Sequence, residues 1–273
     1  MLFRSLAAFA LGFLGYRYSF FAGSIVLGVV LVVVVGNQRN RPEDVGLALP
    51  PVVNESRLDD GNVEVRAEAI NAPWTTQMIL NVAIVGVFYF FSKLIRYALW
   101  SWVPYLFETR FHMKADHAGY LSTVFDIAGI TGVIAAGWLS DRLFRSRRAG
   151  ISLIFVVAMV AACLFLYLLG SHSRMLFAIS IGLVGFTLFG PDALMTGAGA
   201  IDVGGSRRNA VLSAGIINGM GSLGPIAQEL ALGNMLKHGG VDQVFGVLLA
   251  CSVLAAVALA VLVFRNRTGK ADV

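Results

Sequence analysis

The stretch NVAIVGVFYFFSKLIRYALWSWVPYLF, residues 81–107, decides the fold. It exceeds the ~20 apolar residues that a bilayer-spanning helix requires, and its two charges, Lys93 and Arg96, fall near its middle rather than along a wet stripe. Working outward with the same test, apolar runs of spanning length occupy 18–36, 78–107, 119–139, 150–170, 174–201, 210–236 and 241–264. Residues 2–14 form a further apolar stretch, too short to span, which reads as a truncated helix. A secretory signal is the competing reading, and no convincing small-residue cleavage site supports it.

Composition agrees. Hydrophobic residues make up 57% of the chain and charged residues only 14%, against roughly 25% in soluble domains. Mean hydropathy is +0.76. Cys163 and Cys251 lie inside apolar runs, and His112, His117, His172 and His238 are scattered without ligand spacing, so neither a disulfide framework nor a metal site is expected. The net charge of +5 is not organised into a basic helix or an aromatic-basic pattern, so nucleic acid is not expected as a partner. The expected fold is all-α and polytopic.

The basic residues instead set an orientation. Fourteen Lys and Arg fall on one side of the alternating loops and five on the other, with Lys93 and Arg96 inside a helix. The richer side, which includes the C-terminus, is expected to be cytoplasmic. Residues 37–77 carry seven of the sixteen acids together with Pro42, Pro50, Pro51 and Pro73 and read as a polar linker. The expected partition is therefore 1–36 as the remnant of an N-terminal helix bundle, 37–77 as a cytoplasmic central linker, 78–265 as a six-helix bundle and 266–273 as a cytoplasmic tail.

Ionisable residues at membrane depth are costly and mark candidate functional sites. Lys93 and Arg96 are three residues apart and share one helix face. Together they suit an anion, Arg96 by its planar fork and Lys93 as a point charge. The plainer alternative is a structural ion network with Asp126, Asp192 or Glu229. Helix-depth arithmetic puts Asp126 and Glu229 at one level, as possible neighbours, with Asp192 nearer the cytoplasmic end beyond Gly190 and Pro191. Each acid suits a counter-ion, a proton site or a hydrogen-bond partner.

Two further motifs stand out. Residues 137–148, GWLSDRLFRSRR, close one helix and open a basic loop, with Gly137 and Asp141 one turn apart before Arg142 and Arg145. An ordinary positive-inside loop explains the arginines but not that Gly137/Asp141 placement. Residues 214–224, AGIINGMGSLG, favour close helix packing, and Asn218 can in addition face a cavity.

These residues carry a more particular resemblance. FSKLIRYALWSWVP (91–104), FDIAGITG (125–132), Gly137 to Asp141, Gly190-Pro191 and Asn218 to Gly224 resemble the C-terminal half of the organophosphate/phosphate antiporters of the major facilitator superfamily. RPEDVGL (41–47) resembles the start of that family's central loop, so the resemblance covers nearly the whole chain. It implies two six-helix halves rocking around a midplane site, with phosphate held by an arginine from the first helix of each half. Arg96 matches the second-half arginine, Lys93 a lysine of the sugar-phosphate branch, and Asp126 an acid of the family pattern. Tyr97 and Asn218 complete the expected substrate-binding set. Glu229 departs from the pattern, which has an apolar or small residue there.

The Gly137, Asp141, Arg142 and Arg145 motif resembles the loop that latches helix ends in one conformation. The likeness begins near the end of the fifth helix, so the first-half arginine is absent from these residues. The expectation is an N-terminally incomplete chain holding the C-terminal half and the last one to two helices of the first half, with the missing half as a possible partner.

The expected function is secondary active transport of an organic anion across the cell inner membrane. Organophosphate, a sugar phosphate or glycerol phosphate, would be exchanged for inorganic phosphate by alternating access, with no cofactor. A carboxylate or sugar-acid transporter and a membrane sugar-phosphate sensor are the alternatives. An enzyme is not expected, because no nucleophile, acid/base pair or phosphate-cradling glycine loop occurs in a usable context.

Overall fold

The computed structural model describes residues 9, 16–38, 46, 73–143, 148–204, 207–238 and 240–268. They form eight helices: α1 (Tyr16–Asn37), α2 (Thr76–Phe111), α3 (Ala115–Leu143), α4 (Arg148–Leu169), α5 (Arg174–Thr196), α6 (Ala198–Gly204), α7 (Arg207–His238) and α8 (Val241–Arg267). Among the described residues six helices, α2 to α5 with α7 and α8, are long and apolar enough to cross a membrane. The span expected over 18–36 falls within α1, a helix of 22 residues. Residues 2–14 lie outside the described residues except for Phe9, as do 37–77 except for 37, 38, 46 and 73–77.

Local chemistry sets the helix ends. The Thr75 hydroxyl accepts from the Met78 N–H at the start of α2, and Ser173 does the same for Leu176 at the start of α5. His112, at φ 51°, closes α2 with its N–H donating to the Phe107 carbonyl.

One expectation is corrected: the run 174–201 is not a single helix, because α5 stops at Thr196 and the short α6 follows Gly197. Pro191 removes one backbone donor, and the Thr196 hydroxyl bonds back to the Asp192 carbonyl. Both loosen the last turn before the glycine, which has the lowest helix propensity after proline.

The packing is built on glycine. α3 lies against α5 with Gly132 facing the Phe186 backbone oxygen and Gly185 facing the Phe125 backbone oxygen, where a Cβ would collide. On the other flank, Gly224 of α7 faces the Phe90 carbonyl of α2 and Gly221 takes the Tyr89 ring. A Cβ at Gly215 or Gly219 would meet nothing within 4 Å, so only part of the glycine-rich stretch serves close packing. Helix α8 seals the bundle against α2 and α4.

At one end of the bundle Phe177 meets Phe107 edge to face and stacks on Phe245, with ring centroids 4.8 and 5.7 Å away, tying α2, α5 and α8 together. At the other end Arg265 donates to Asn81 (2.8 Å) and Gln77 (2.5 Å), and Arg148 to Asp202 (2.7 Å).

Candidate functional site: a cationic face at mid-helix

Lys93 and Arg96 sit halfway along α2, between Thr76 and Phe111. Tyr97 and Trp100 continue the same face at the i, i+3, i+4, i+7 spacing and are 38% and 48% exposed. The two rings meet edge to face with centroids 6.2 Å apart. The face thus offers two cations and then two aromatic surfaces.

Each cation is held by a different neighbouring helix. Lys93 Nζ donates to Asn218 Oδ1 (2.9 Å) and to Ser222 Oγ (3.1 Å) on α7, and lies over the Tyr89 ring at 4.7 Å. Arg96 Nη1 donates to Asp192 Oδ2 on α5 at 2.5 Å, and its guanidinium carbon lies 4.3 Å from the centre of the Phe189 ring. The Arg96 side chain is 39% exposed and that of Asp192 only 6%, so the pair straddles the boundary between core and open face. Arginine has five N–H donors and lysine three; within the described residues Arg96 commits Nη1, and Lys93 two of its three. What remains can bind an acceptor-rich group such as phosphate or carboxylate.

The other expected residues separate. Asp126 is buried on α3, whereas Glu229 is exposed on α7, and α3 and α7 are not among the extensively packed pairs. The suggested pairing of these two acids is therefore not formed. Gly137 lies in open space near the end of α3, while Asp141 and Arg142 are exposed there, Arg142 over the Trp138 ring at 5.2 Å. Arg145 lies outside the described residues.

Sequence reasoning missed Ser222, Tyr89 and Phe189. Helical spacing was the available signal: Ser222 follows Asn218 by four residues, Tyr89 precedes Lys93 by four, and Phe189 precedes Asp192 by three.

Six apolar spans packed around a polar mid-depth face define an integral membrane protein of the transporter class. Comparison with known proteins is specific: the Major Facilitator Superfamily model matches residues 1–228 and again 89–273. The chain belongs to the major facilitator superfamily.

Its relatives include "Putative glycerol-3-phosphate transporter 1" of Arabidopsis thaliana, 29% identical over 95% of this chain and 54% of that protein. They also include "Glucose-6-phosphate exchanger SLC37A2" of Mus musculus, 30% identical over 84% of this chain and 47% of that protein. "Glycerol-3-phosphate transporter" of Bacillus subtilis is 28% identical over 91% and 56%. The resemblance to organophosphate antiporters read from the sequence is borne out by these relatives. The chain spans about half the length of the curated relatives it matches.

Proposed function

We propose that this chain forms the C-terminal half of an organophosphate carrier that exchanges an organic phosphate, a sugar phosphate or glycerol phosphate, for inorganic phosphate by alternating access. The observation that carries the reading is the joint presentation of Lys93 and Arg96 on one exposed face at mid-span, each with donors to spare. Relatives named as glycerol-3-phosphate transporters and glucose-6-phosphate exchangers supply the phosphate class. In this reading Arg96 grips two phosphoryl oxygens through its planar edge, Lys93 adds a third contact, and Asn218 both holds Lys93 and lines the path. Tyr97 flanks the same position.

The bundle from 78 to 265 is the moving half, 1–36 belongs to the first half, and 37–77 joins them through the cytoplasm. Gly137, Asp141, Arg142 and Arg145 form the loop that steadies one end state. The site rocks between two openings, and no bond is made or broken.

The reading is tested by reconstituting the complete gene product in liposomes and measuring exchange of labelled phosphate, with organic phosphates and dicarboxylates as competitors. Inhibition by the organic phosphates alone is the expected result; inhibition by dicarboxylates alone would replace phosphate with carboxylate. Lys93→Ala is expected to raise the half-saturating phosphate concentration about tenfold, the weight of one charge-assisted hydrogen bond, with little change in maximal rate. The inner-membrane orientation is tested separately. A cytoplasm-active reporter fused after Val273 is expected to be active and a periplasm-active one silent, since the basic ends of α3 and α8 would lie inside.

A further inference from the structure

Asp192 is placed to do more than balance a charge. Its side chain is nearly buried, and Oδ2 accepts a hydrogen bond from Arg96 Nη1. The Ser92 hydroxyl, one turn before Arg96 on α2, is buried beside it as a second hydrogen-bonding neighbour of the Asp192 carboxylate. Buried polar groups are nearly always paired, and this pairing holds the carboxylate beside the cation that the proposed function uses.

Helix α5 grips Arg96 twice, through the Phe189 ring against the guanidinium and through Asp192 against one of its nitrogens. Only Gly190 and Pro191 separate the two, so a single turn of α5 sets where the fork stands.

Two arrangements with an incoming anion can be compared. An anion that displaced Asp192 would strand a buried carboxylate, which is strongly destabilising. An anion that used the remaining N–H groups would leave the ion pair intact, and Arg96 has donors enough for this. The second arrangement costs less. It also fixes the charge that the anion meets: Lys93 and Arg96 contribute two positive charges and Asp192 removes one, leaving a net of one.

Building on the anion-binding reading above, we propose that Asp192 is a positioning and specificity-determining residue. It anchors the Arg96 fork while the anion is bound, and it halves the net charge of the face, so that singly and doubly charged phosphates are accepted with little discrimination.

The test is competition against labelled inorganic phosphate on the purified complete gene product in nanodiscs. Two probes differ by one methyl ester and one charge at about pH 8, dimethyl phosphate with one negative charge and methyl phosphate with two, since a phosphate monoester loses its second proton near pH 6. Because the methyl is the same for every variant, the change in their ratio between variants reads the charge. Wild type is expected to bind the two within about threefold of one another, the discrimination that one net charge leaves after solvent screening. Asp192→Asn keeps an acceptor for Arg96 Nη1 but removes the charge. Its affinity is expected to rise about tenfold for methyl phosphate and about threefold for dimethyl phosphate. Asp192→Glu restores the charge and should restore the wild-type ratio.

An unchanged ratio in Asp192→Asn, or equal weakening of both probes, would overturn the proposal and leave Asp192 a structural prop. If Asp192→Asn does not accumulate, the Arg96→Gln/Asp192→Asn pair strands no buried charge and still has a net charge of one. It should bind both probes more weakly at the wild-type ratio, and a shift toward the doubly charged probe would overturn the proposal. Failure of wild type to bind either probe is a different result, which removes the anion reading itself.

Discussion

Arg96→Ala is expected to lower phosphate exchange by about a hundredfold, the loss of a two-point charge-assisted contact, and to destabilise the bundle at the same time. Arg96 is partly exposed, but Asp192 is not, and truncation leaves that carboxylate without its cation. Breaking one side of a buried pair costs about 3–5 kcal/mol, and the exposed guanidinium argues for the lower end of that range. Exchange in proteoliposomes and thermal unfolding of the purified protein measure the two effects. The Arg96→Ala/Asp192→Asn pair separates them: stability should return, because no charge is stranded, while exchange should stay lost. Exchange that survives Arg96→Ala would remove Arg96 from the binding site.

Much of this architecture was legible because a bilayer imposes a length. The runs 78–107 and 241–264 became α2 and α8 with ends moved by a few residues, since spanning helices continue into the interface until a cap or turn stops them. The run 174–201 misled because Gly197 does not interrupt the apolar count yet ends a helix by conformation. Hydropathy counts side chains and is blind to backbone propensity.

At the site, the i, i+3 spacing placed Lys93 and Arg96 on one face, a property of one helix. Which acid answered Arg96 was not legible, because Asp126, Asp192 and Glu229 differ in helix and in azimuth, and azimuth depends on how the bundle packs. The depth argument for Asp126 with Glu229 used only height along the membrane, and exposure of Glu229 against burial of Asp126 shows the coordinate it lacked.

Gly132→Ala is expected to have the second large effect, and the chain of contacts explains how it reaches the site. A Cβ at Gly132 would collide with the Phe186 backbone oxygen, which no rotamer change can move, so α3 and α5 must separate. Overpacking of a tight core costs about 1–3 kcal/mol, and loss of a backbone-to-backbone seat belongs toward the upper end. The shift is not confined to the seam, because Gly129, one turn earlier, accommodates the Phe189 ring on which the Arg96 guanidinium rests. Moving α5 therefore moves Phe189 and Asp192 together.

The variant should melt earlier and also need more phosphate for half-saturation, although Gly132 itself faces another helix and not the cationic face. Gly215→Ala is the control: nothing lies within 4 Å of its would-be Cβ, and alanine favours the helix by about 1 kcal/mol, so melting should hold or rise. Equal melting losses in the two variants would mean that glycine content, and not the α3–α5 seat, sets the stability. A Gly132→Ala protein that melts early but keeps wild-type half-saturation would mean that Arg96 is held without reference to where α5 sits.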